Sequence, residues 1–245
     1  MEYRAMVALD IEGSAGRGNE ALLTIREVLA RSVREALALS GVDWDACLRH
    51  DLGDGLRVTV PAGTWKARLI HPFVPELAAR LRAHNRTAGE LTRVRVRMAL
   101  HAGDVRLGPD GEVAGGALET LARLLDAPRA RAALAEAPPS VPVALLVSRH
   151  FHDETVRHGY PGIDPEDFRR VSVTAKEFTA DAWLHLPGHR AASPPPEEPA
   201  AAGHAPAPAA EGAGTHYQMT NRASGHGVIN ATQHGTQHVY VGRTP

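Results

Sequence analysis

The feature that most restricts the fold of this chain is the segment 188–214, which contains no Val, Ile, Leu, Phe, Tyr or Trp. Such a segment cannot bury enough apolar surface to offset the entropy that it would lose on ordering. We therefore predict that residues 188–214 form a disordered Pro/Ala-rich linker. Any hydrophobic core then lies in residues 1–187, and residues 215–245 form a separate tail.

Composition argues against several classes of function. The 27 Lys and Arg residues nearly balance the 28 Asp and Glu residues and are scattered along the chain, which argues against a nucleic-acid-binding surface. The single cysteine, Cys47, cannot form an intramolecular disulfide, and no apolar run is long enough to span a membrane. We therefore expect a cytoplasmic protein with neither a nucleic-acid nor a membrane partner.

Hydrophobic periodicity in residues 1–187 predicts an α+β domain. The elements that begin the domain are a strand at 6–11, a helix at 21–39, a hairpin of strands at 44–48 and 56–60, a helix at about 65–84 that Pro72 and Pro75 kink or divide, and a strand at 92–105. This β-α-β-β-α-β order is that of a ferredoxin-like sandwich. The elements expected after it are a helix at 115–125, a strand at 141–147, a helix at 149–158, and strands at about 168–175 and 181–187.

Asp10 and Asp54 are the first candidate functional residues. Asp10 ends the first strand, and Asp54 lies between two glycines at the tip of the hairpin. In a ferredoxin-like sheet the first strand lies beside the third, so the two carboxylates can converge next to the glycine-rich turn that follows Asp10. Two such carboxylates near a helix N-terminus suit Mg²⁺ or Mn²⁺ and phosphate oxygens. The alternative is that Asp54 is simply a turn residue, since Gly and Asp are common in tight turns.

Five segments, in the same order and with the same spacing over residues 4–187, resemble motifs of the class III nucleotide cyclase catalytic domain. They are Asp10-Ile11-Glu12-Gly13-Ser14, Leu52-Gly53-Asp54-Gly55, the strand from Arg97 to Val105, Glu112 to Gly115 together with Leu118 to Arg123, and Val173 to Lys176 together with Ala182 to Leu184. The resemblance implies the ferredoxin-like cyclase fold. It also implies that a nucleoside triphosphate is converted into a 3′,5′-cyclic nucleotide and pyrophosphate.

The resemblance assigns a role to each candidate residue in the phosphate half of the site. Asp10, Asp54 and the backbone carbonyl of Ile11 would hold two divalent ions, Mg²⁺ or Mn²⁺. The backbone of the turn that begins with Gly13 and Ser14 would cradle the phosphates. Lys176 would be a further phosphate contact, from the final hairpin.

The resemblance also assigns residues to the base and to the transition state. His50 and Glu112 correspond to the base-reading positions; a histidine donor and a carboxylate acceptor suit guanine or cytosine as well as adenine. Arg123 and Glu119 correspond to the transition-state arginine and asparagine of the family. An ionised Glu119 cannot donate the amide hydrogen bond of an asparagine, and its spacing from Arg123 also suits an ordinary i,i+4 ion pair on a helix.

Partners are implied in the same way. Sites of this family are built from two chains related by a two-fold axis, which implies a homodimer. The tail 215–245, rich in Gly, Asn, Gln, His and Thr, resembles the short C-terminal amyloid-type signalling motifs of bacterial immune-type proteins. That resemblance predicts an effector protein with a matching motif as a partner. The alternatives are an unstructured polar tail and Zn²⁺ capture by its histidines.

Two functions follow from these observations. The first is nucleotide cyclisation in bacterial signalling or antiviral defence, which the retained Asp10, Asp54 and Arg123 favour. The second is a catalytically degenerate sensor or adaptor with the cyclase fold, which recruits a partner through its C-terminal motif. Glu119, His50 and the tail favour the second function.

Overall fold

The computed structural model describes residues 1–109, 111–175 and 178–189, which contain eight strands and five α-helices. The strands are β1 (Glu2–Ile11), β2 (Leu48–Asp51), β3 (Gly55–Thr59), β4 (Val96–Leu107), β5 (Val113–Ala114), β6 (Val143–Ser148), β7 (Arg169–Ala175) and β8 (Phe178–His185). The helices are α1 (Asn19–Leu39), α2 (Phe73–Asn85), α3 (Gly116–Leu125), α4 (Pro128–Glu136) and α5 (Arg149–Glu154). Short 3₁₀ turns are found at Lys66–Leu69, Glu90–Thr92, Val156–His158 and Pro165–Asp167.

The strands form one sheet whose order is β2-β3-β1-β4-β6-β8-β7, with β5 paired to β4 outside this path. Strands β1 to β4 pair antiparallel: β2 pairs with β3, β3 with β1, and β1 with β4. With α1 and α2 between them they form the β-α-β-β-α-β unit, so the predicted ferredoxin-like α+β fold is confirmed. The sheet then extends through β6, which runs parallel to β4, and through β8 and β7.

Strand alternation divides the core into two layers. Along β1, Val7 and Leu9 pack in a cluster with residues of α1 and α2, whereas Met6 and Ala8 pack in a cluster with residues of α3 and α4. Because successive side chains of a strand point to opposite faces, Asp10 shares the face of Met6 and Ala8. We call this side of the sheet the α3 face and the opposite side the α1 face.

Some details differ from the sequence prediction. The first hairpin strand is β2, not residues 44–48, because the Asp43 side chain accepts a hydrogen bond from the Asp45 N–H at 3.0 Å and turns the chain there. By contrast, the predicted break of the helix at 65–84 is confirmed at Pro72, after which α2 begins. Helix α4 was not predicted, since only Ala130 and Leu134 are buried in it and its apolar periodicity is weak.

Some predictions concern parts of the chain beyond the described ranges. Lys176 and residues 190–245, which include most of the predicted linker and the whole predicted tail, lie outside the described residues. Within the described ranges, no helix combines the length and the apolar character needed to cross a membrane.

Candidate active site

Asp10 and Asp54 meet at the end of β1. The tip of the β2–β3 hairpin is fixed there, because Asp10 pairs with Gly55 and the N–H of Ile11 donates to the carbonyl oxygen of Asp54 at 3.0 Å. Burial raises the pKa of the Asp10 carboxyl; the Arg97 cation acts against this rise, and the nearby Asp54 carboxylate adds to it. The structure therefore brings the two predicted metal-binding carboxylates together.

Both glycines of the hairpin tip are needed for this meeting. Gly53 has a φ of +90°, in the left-handed region that residues with a side chain rarely adopt. A Cβ atom on Gly55 would lie 2.1 Å from the carbonyl oxygen of Leu9, so no other residue fits between the hairpin and β1. The Gly-Asp-Gly sequence thus allows the close strand contact that holds Asp54 beside Asp10.

Arg97 of β4 lies opposite Asp10, and its guanidinium forms an ion pair with the Asp10 carboxylate. The two side chains are only 13% and 15% exposed. The second terminal nitrogen of Arg97, Nη1, is buried and has no hydrogen-bond partner within the described part of the chain. A buried donor left unpaired costs roughly 1–3 kcal/mol, so an incoming acceptor such as a phosphate oxygen would be stabilised there.

Ser14 connects the glycine-rich turn to the carboxylate pair. Its hydroxyl donates to Oδ2 of Asp54 at 2.7 Å, which fixes the orientation of that carboxylate. Gly13, immediately before it, has a φ of +58° and carries no side chain that could block a close approach to the main chain. The predicted phosphate-binding turn therefore lies directly beside the predicted metal ligands.

Arg17 holds this turn in place. Its guanidinium donates to the carbonyl oxygens of Gly13 and Glu12, both at 2.6 Å. It also donates to the carbonyl oxygens of Leu91 and Arg93, at 3.2 and 2.6 Å, in the loop before β4. One side chain thus ties the end of the turn after β1 to a second loop, which limits movement of the turn.

His50 and Glu112, the predicted base contacts, line one cavity of about 290 Å³. The other residues that line this cavity are Leu48, Arg49, Arg57, Gly111 and Val113. His50 lies opposite Arg57 in the β2–β3 pairing, so the cavity rests on the hairpin. The structure brings these two predicted residues together and adds Arg49 and Arg57, of which Arg57 lies on β3 between His50 and β1.

Arg123 and Glu119 lie on the outer side of α3. Their side chains are 45% and 70% exposed, whereas Ala117 and Leu121 of the same helix are buried against the sheet. Nη2 of Arg123 lies 3.5 Å from Oε2 of Glu119, which is the i,i+4 ion pair that the spacing predicted. This pair faces solvent, while Asp10 is mostly buried in the sheet.

The donor set of this site suits a hard divalent ion. Within the described ranges no group of three or more His, Cys, Asp and Glu side chains could hold a metal ion. The candidate set is smaller, since it consists of the Asp10 and Asp54 carboxylates and main-chain oxygens such as that of Ile11. Oxygen atoms of these kinds are the ligands that Mg²⁺ and Mn²⁺ prefer. The residues present therefore fit such an ion, which would compete with Arg97 for Asp10.

Sequence reasoning did not assign roles to Arg17, Arg57 and Arg97. Arg57 and Arg97 alternate with the apolar residues of β3 and β4, and this alternation puts them on the α3 face with Asp10. The alternation was therefore a usable signal for these two residues. No sequence signal pointed to Arg17, because two of its partners lie 74 and 76 residues away.

No family model and no curated protein matches the sequence significantly. The fold is similar to those of solved cyclase domains. An adenylate/guanylate cyclase/hydrolase from Silicibacter pomeroyi is 19% identical, with 77% of this chain and 98% of that chain covered and a TM-score of 0.54. The guanylyl cyclase Cya2 is 14% identical, with 76% and 93% covered and a TM-score of 0.53. An adenylate cyclase of Trypanosoma brucei is 13% identical, with 79% and 92% covered and a TM-score of 0.50.

Proposed function

We propose that this chain, which has the fold of class III nucleotide cyclase catalytic domains, binds a nucleoside triphosphate and forms a 3′,5′-cyclic nucleotide. The observation that carries the proposal is the meeting of Asp10 and Asp54 at the end of β1. Two carboxylates so close together repel one another, and Arg97 neutralises only one of the two negative charges, so a further cation beside them is favoured. The glycine-rich turn and the unpaired nitrogen of Arg97 beside them suit the phosphates of a substrate.

The residues of the chain have distinct roles in this proposal. Asp10, Asp54 and the Ile11 carbonyl would hold Mg²⁺ or Mn²⁺, two ions that when bound supply positive charge to activate the ribose 3′-hydroxyl and stabilise pyrophosphate. Ser14 keeps the Asp54 carboxylate oriented through its hydrogen bond of 2.7 Å. The main chain at Gly13 and Nη1 of Arg97 donate to phosphate oxygens. Lys176 stays a sequence-based prediction of a further phosphate contact.

The remaining candidate residues suggest a site shared between two copies of the chain. His50 and Glu112 line the cavity in which the base would bind. Arg123 and Glu119 are exposed on α3, where a second molecule can reach them. We infer a homodimer in which α3 of one copy contributes Arg123 to the transition state above the carboxylates of the other.

The ion pair between Glu119 and Arg123 favours a second candidate function. If Arg123 remains paired in this way, its charge is not available to the transition state. The domain would then act as a nucleotide sensor or adaptor without turnover. Its output would be recruitment of an effector protein through the C-terminal motif, in bacterial signalling or antiviral defence.

One experiment separates these functions. The full chain is incubated with each of the four nucleoside triphosphates and Mn²⁺, and cyclic products are sought by mass spectrometry while binding is measured by calorimetry. A cyclic product supports the enzyme, and binding without product supports the sensor. Absence of both binding and product for all four nucleotides contradicts both functions. The double variant Asp10→Asn/Asp54→Asn is the control for contaminating activity.

A further inference from the structure

Arg57 is a cation that has no counter-ion among the described residues, in the cavity that also contains His50 and Glu112. It is half-buried on β3, between Ala8 of β1 and His50 of β2. Burial lowers the pKa of its guanidinium. No residue in the described ranges forms a hydrogen bond or ion pair with its side chain. Because a partly desolvated charge is costly when it is unpaired, the cavity favours a ligand that offers acceptor atoms to Arg57.

Glu112 provides the opposite kind of group in the same cavity. Its side chain packs against Gly108, where an added Cβ would lie 3.1 Å from both Cβ and Oε2 of Glu112. Its carboxylate is not paired with Arg57, since no ion pair joins the two within the described part of the chain. Arg49 also lines the cavity, but its guanidinium already donates to the Trp44 carbonyl oxygen at 2.8 Å and pairs with Asp45. The cavity therefore offers a ligand the N–H donors of Arg57 and the oxygen acceptors of Glu112.

Guanine is the nucleobase that matches both forks. Its O6 and N7 atoms are adjacent acceptors, which is the pair that an arginine binds with two parallel hydrogen bonds. Its N1–H and N2 amino groups are adjacent donors, which a carboxylate can accept together. Adenine has an acceptor next to a donor on the corresponding edge, and cytosine and uracil each lack at least one of the two pairs.

We propose that this cavity selects guanine, with Arg57 donating to O6 and N7 and Glu112 accepting from N1 and the 2-amino group. The proposal rests on the proposed triphosphate site and specifies its substrate as a guanine nucleotide. The cavity and the Asp10–Asp54 pair lie on the same α3 face of the sheet. His50 then contacts the rim of the base or the ribose as an auxiliary donor.

Binding of the wild-type chain to modified nucleotides tests this assignment directly. We use 2′,3′-dideoxynucleoside triphosphates with Mn²⁺, because they lack the 3′-hydroxyl and cannot be cyclised. The guanine compound should bind at least about tenfold more tightly than the adenine, cytosine and uracil compounds, since a good bidentate pair discriminates by about 1–3 kcal/mol. The 7-deazaguanine compound lacks N7, and the hypoxanthine compound lacks the 2-amino group. Each should bind several-fold more weakly than the guanine compound.

Two variants assign these losses to residues. Arg57→Lys keeps the charge but removes the fork, so it should lower the guanine preference about tenfold and abolish the penalty of the 7-deaza compound. Glu112→Gln should abolish the penalty of the hypoxanthine compound. Arg31→Lys, at an exposed position of α1, is the matched control. It should leave the guanine preference and the penalties of both modified compounds unchanged. Circular dichroism and thermal unfolding verify that each variant is folded.

The possible results separate this inference from the function on which it rests. Equal affinities for the guanine, adenine, cytosine and uracil triphosphates overturn the guanine assignment and leave the proposed triphosphate site intact. An unchanged guanine preference in folded Arg57→Lys overturns the role of Arg57. Failure of the wild-type chain to bind any triphosphate, while it still binds inorganic tripolyphosphate, overturns the base cavity alone. Failure of the wild-type chain to bind either the nucleoside triphosphates or tripolyphosphate overturns the proposed function as well.

Discussion

The main chain of Gly55 lies so close to Leu9 that an added Cβ would be 2.1 Å from the Leu9 carbonyl oxygen. Gly55→Ala must therefore push the hairpin away from β1 and move Asp54 away from Asp10. We expect a loss of about 3 kcal/mol in the free energy of unfolding, as for an overpacked core position, together with the loss of Mn²⁺-dependent nucleotide binding. Chemical denaturation and calorimetry measure the two effects.

Gly116→Ala is the matched control for this substitution. Gly116 begins α3, and an added Cβ there would have no atom within 4 Å. Alanine in a helix should stabilise the domain by about 0.4–1 kcal/mol. If Gly55→Ala were as stable as Gly116→Ala and still bound nucleotide, the close contact with Leu9 would not be what positions Asp54.

The carboxylate pair makes a second prediction. Asp54→Asn should reduce Mn²⁺-dependent triphosphate binding at least about tenfold, because the amide carries no charge, and Asp10→Asn should do the same. Asp104→Asn, at an exposed position near the other end of β4, is the control and should bind normally. Calorimetry with and without Mn²⁺ measures these affinities. Normal binding by both folded site variants would leave Asp54 as a turn residue only.

The meeting of Asp10 and Asp54 could be predicted because it depends on local patterns. Strand alternation, the glycines around Asp54 and the known order of a ferredoxin-like sheet are enough to bring the two acids to one sheet end. The role of Arg97 was harder to predict, because the alternation of side chains along β4 gives the face of the sheet on which Arg97 lies but not the residue that it contacts. Its contact with Asp10 joins residues 87 positions apart, and such a register depends on the packing of the whole sheet.

The errors in secondary structure have similar causes. Residues 44–48 contain apolar side chains compatible with a strand, but the hydrogen bond from the Asp45 N–H to the Asp43 carboxylate favours a turn. Helix α4 contains many alanines and exposed arginines, and its helical character depends on packing by Leu134 and on Pro128 at its first turn. Interactions of side chains with the backbone and with distant residues therefore decided these elements.

His101 predicts a loss of stability in mild acid. Its side chain is 8% exposed and its Nδ1 lies 2.8 Å from the Ser148 hydroxyl, while burial, followed by the charge of His150, lowers the pKa of His101 to about 4. Below the ordinary histidine pKa of 6.5, His101 is protonated in the unfolded chain but stays neutral in the folded chain. The free energy of unfolding therefore decreases as the pH is lowered. We expect a loss of about 1.5 kcal/mol between pH 6.5 and pH 5 from this residue alone.

His101→Asn should remove this part of the pH dependence, since asparagine does not titrate. The variant is expected to be less stable at pH 7, where it loses packing, but its stability should change less from pH 6.5 to pH 5. Urea denaturation at several pH values measures both curves. An identical slope in the two proteins would show that His101 is protonated equally in the folded and unfolded chains.

The composition of the C-terminal part makes a prediction about truncation. A chain that ends at Gly188 should stay soluble and keep its thermal transition within about 2 °C, because the predicted linker has no large apolar side chain to pack. A peptide of residues 215–245 should instead assemble into β-rich fibres, detectable by thioflavin fluorescence and X-ray fibre diffraction. A peptide that stays monomeric in solution and recruits no partner in cells would support the unstructured-tail alternative.

The position of Glu119 separates the enzyme from the sensor. If the domain is catalytic, an asparagine at this position should release Arg123 from its ion pair and supply an amide donor to the transition state. One oriented hydrogen bond of this kind is worth on the order of 3 kcal/mol, or about a hundredfold in rate. We therefore expect weak formation of cyclic nucleotide by the native chain and an increase in Glu119→Asn, measured by mass spectrometry with Mn²⁺.

Glu136→Asn, which changes an exposed glutamate at the end of α4, should have no effect. Absence of product from the native chain and from Glu119→Asn would support the sensor. Rapid turnover by the native chain that collapses in Glu119→Asn would mean that Glu119 itself takes part in the reaction, through a metal or the substrate.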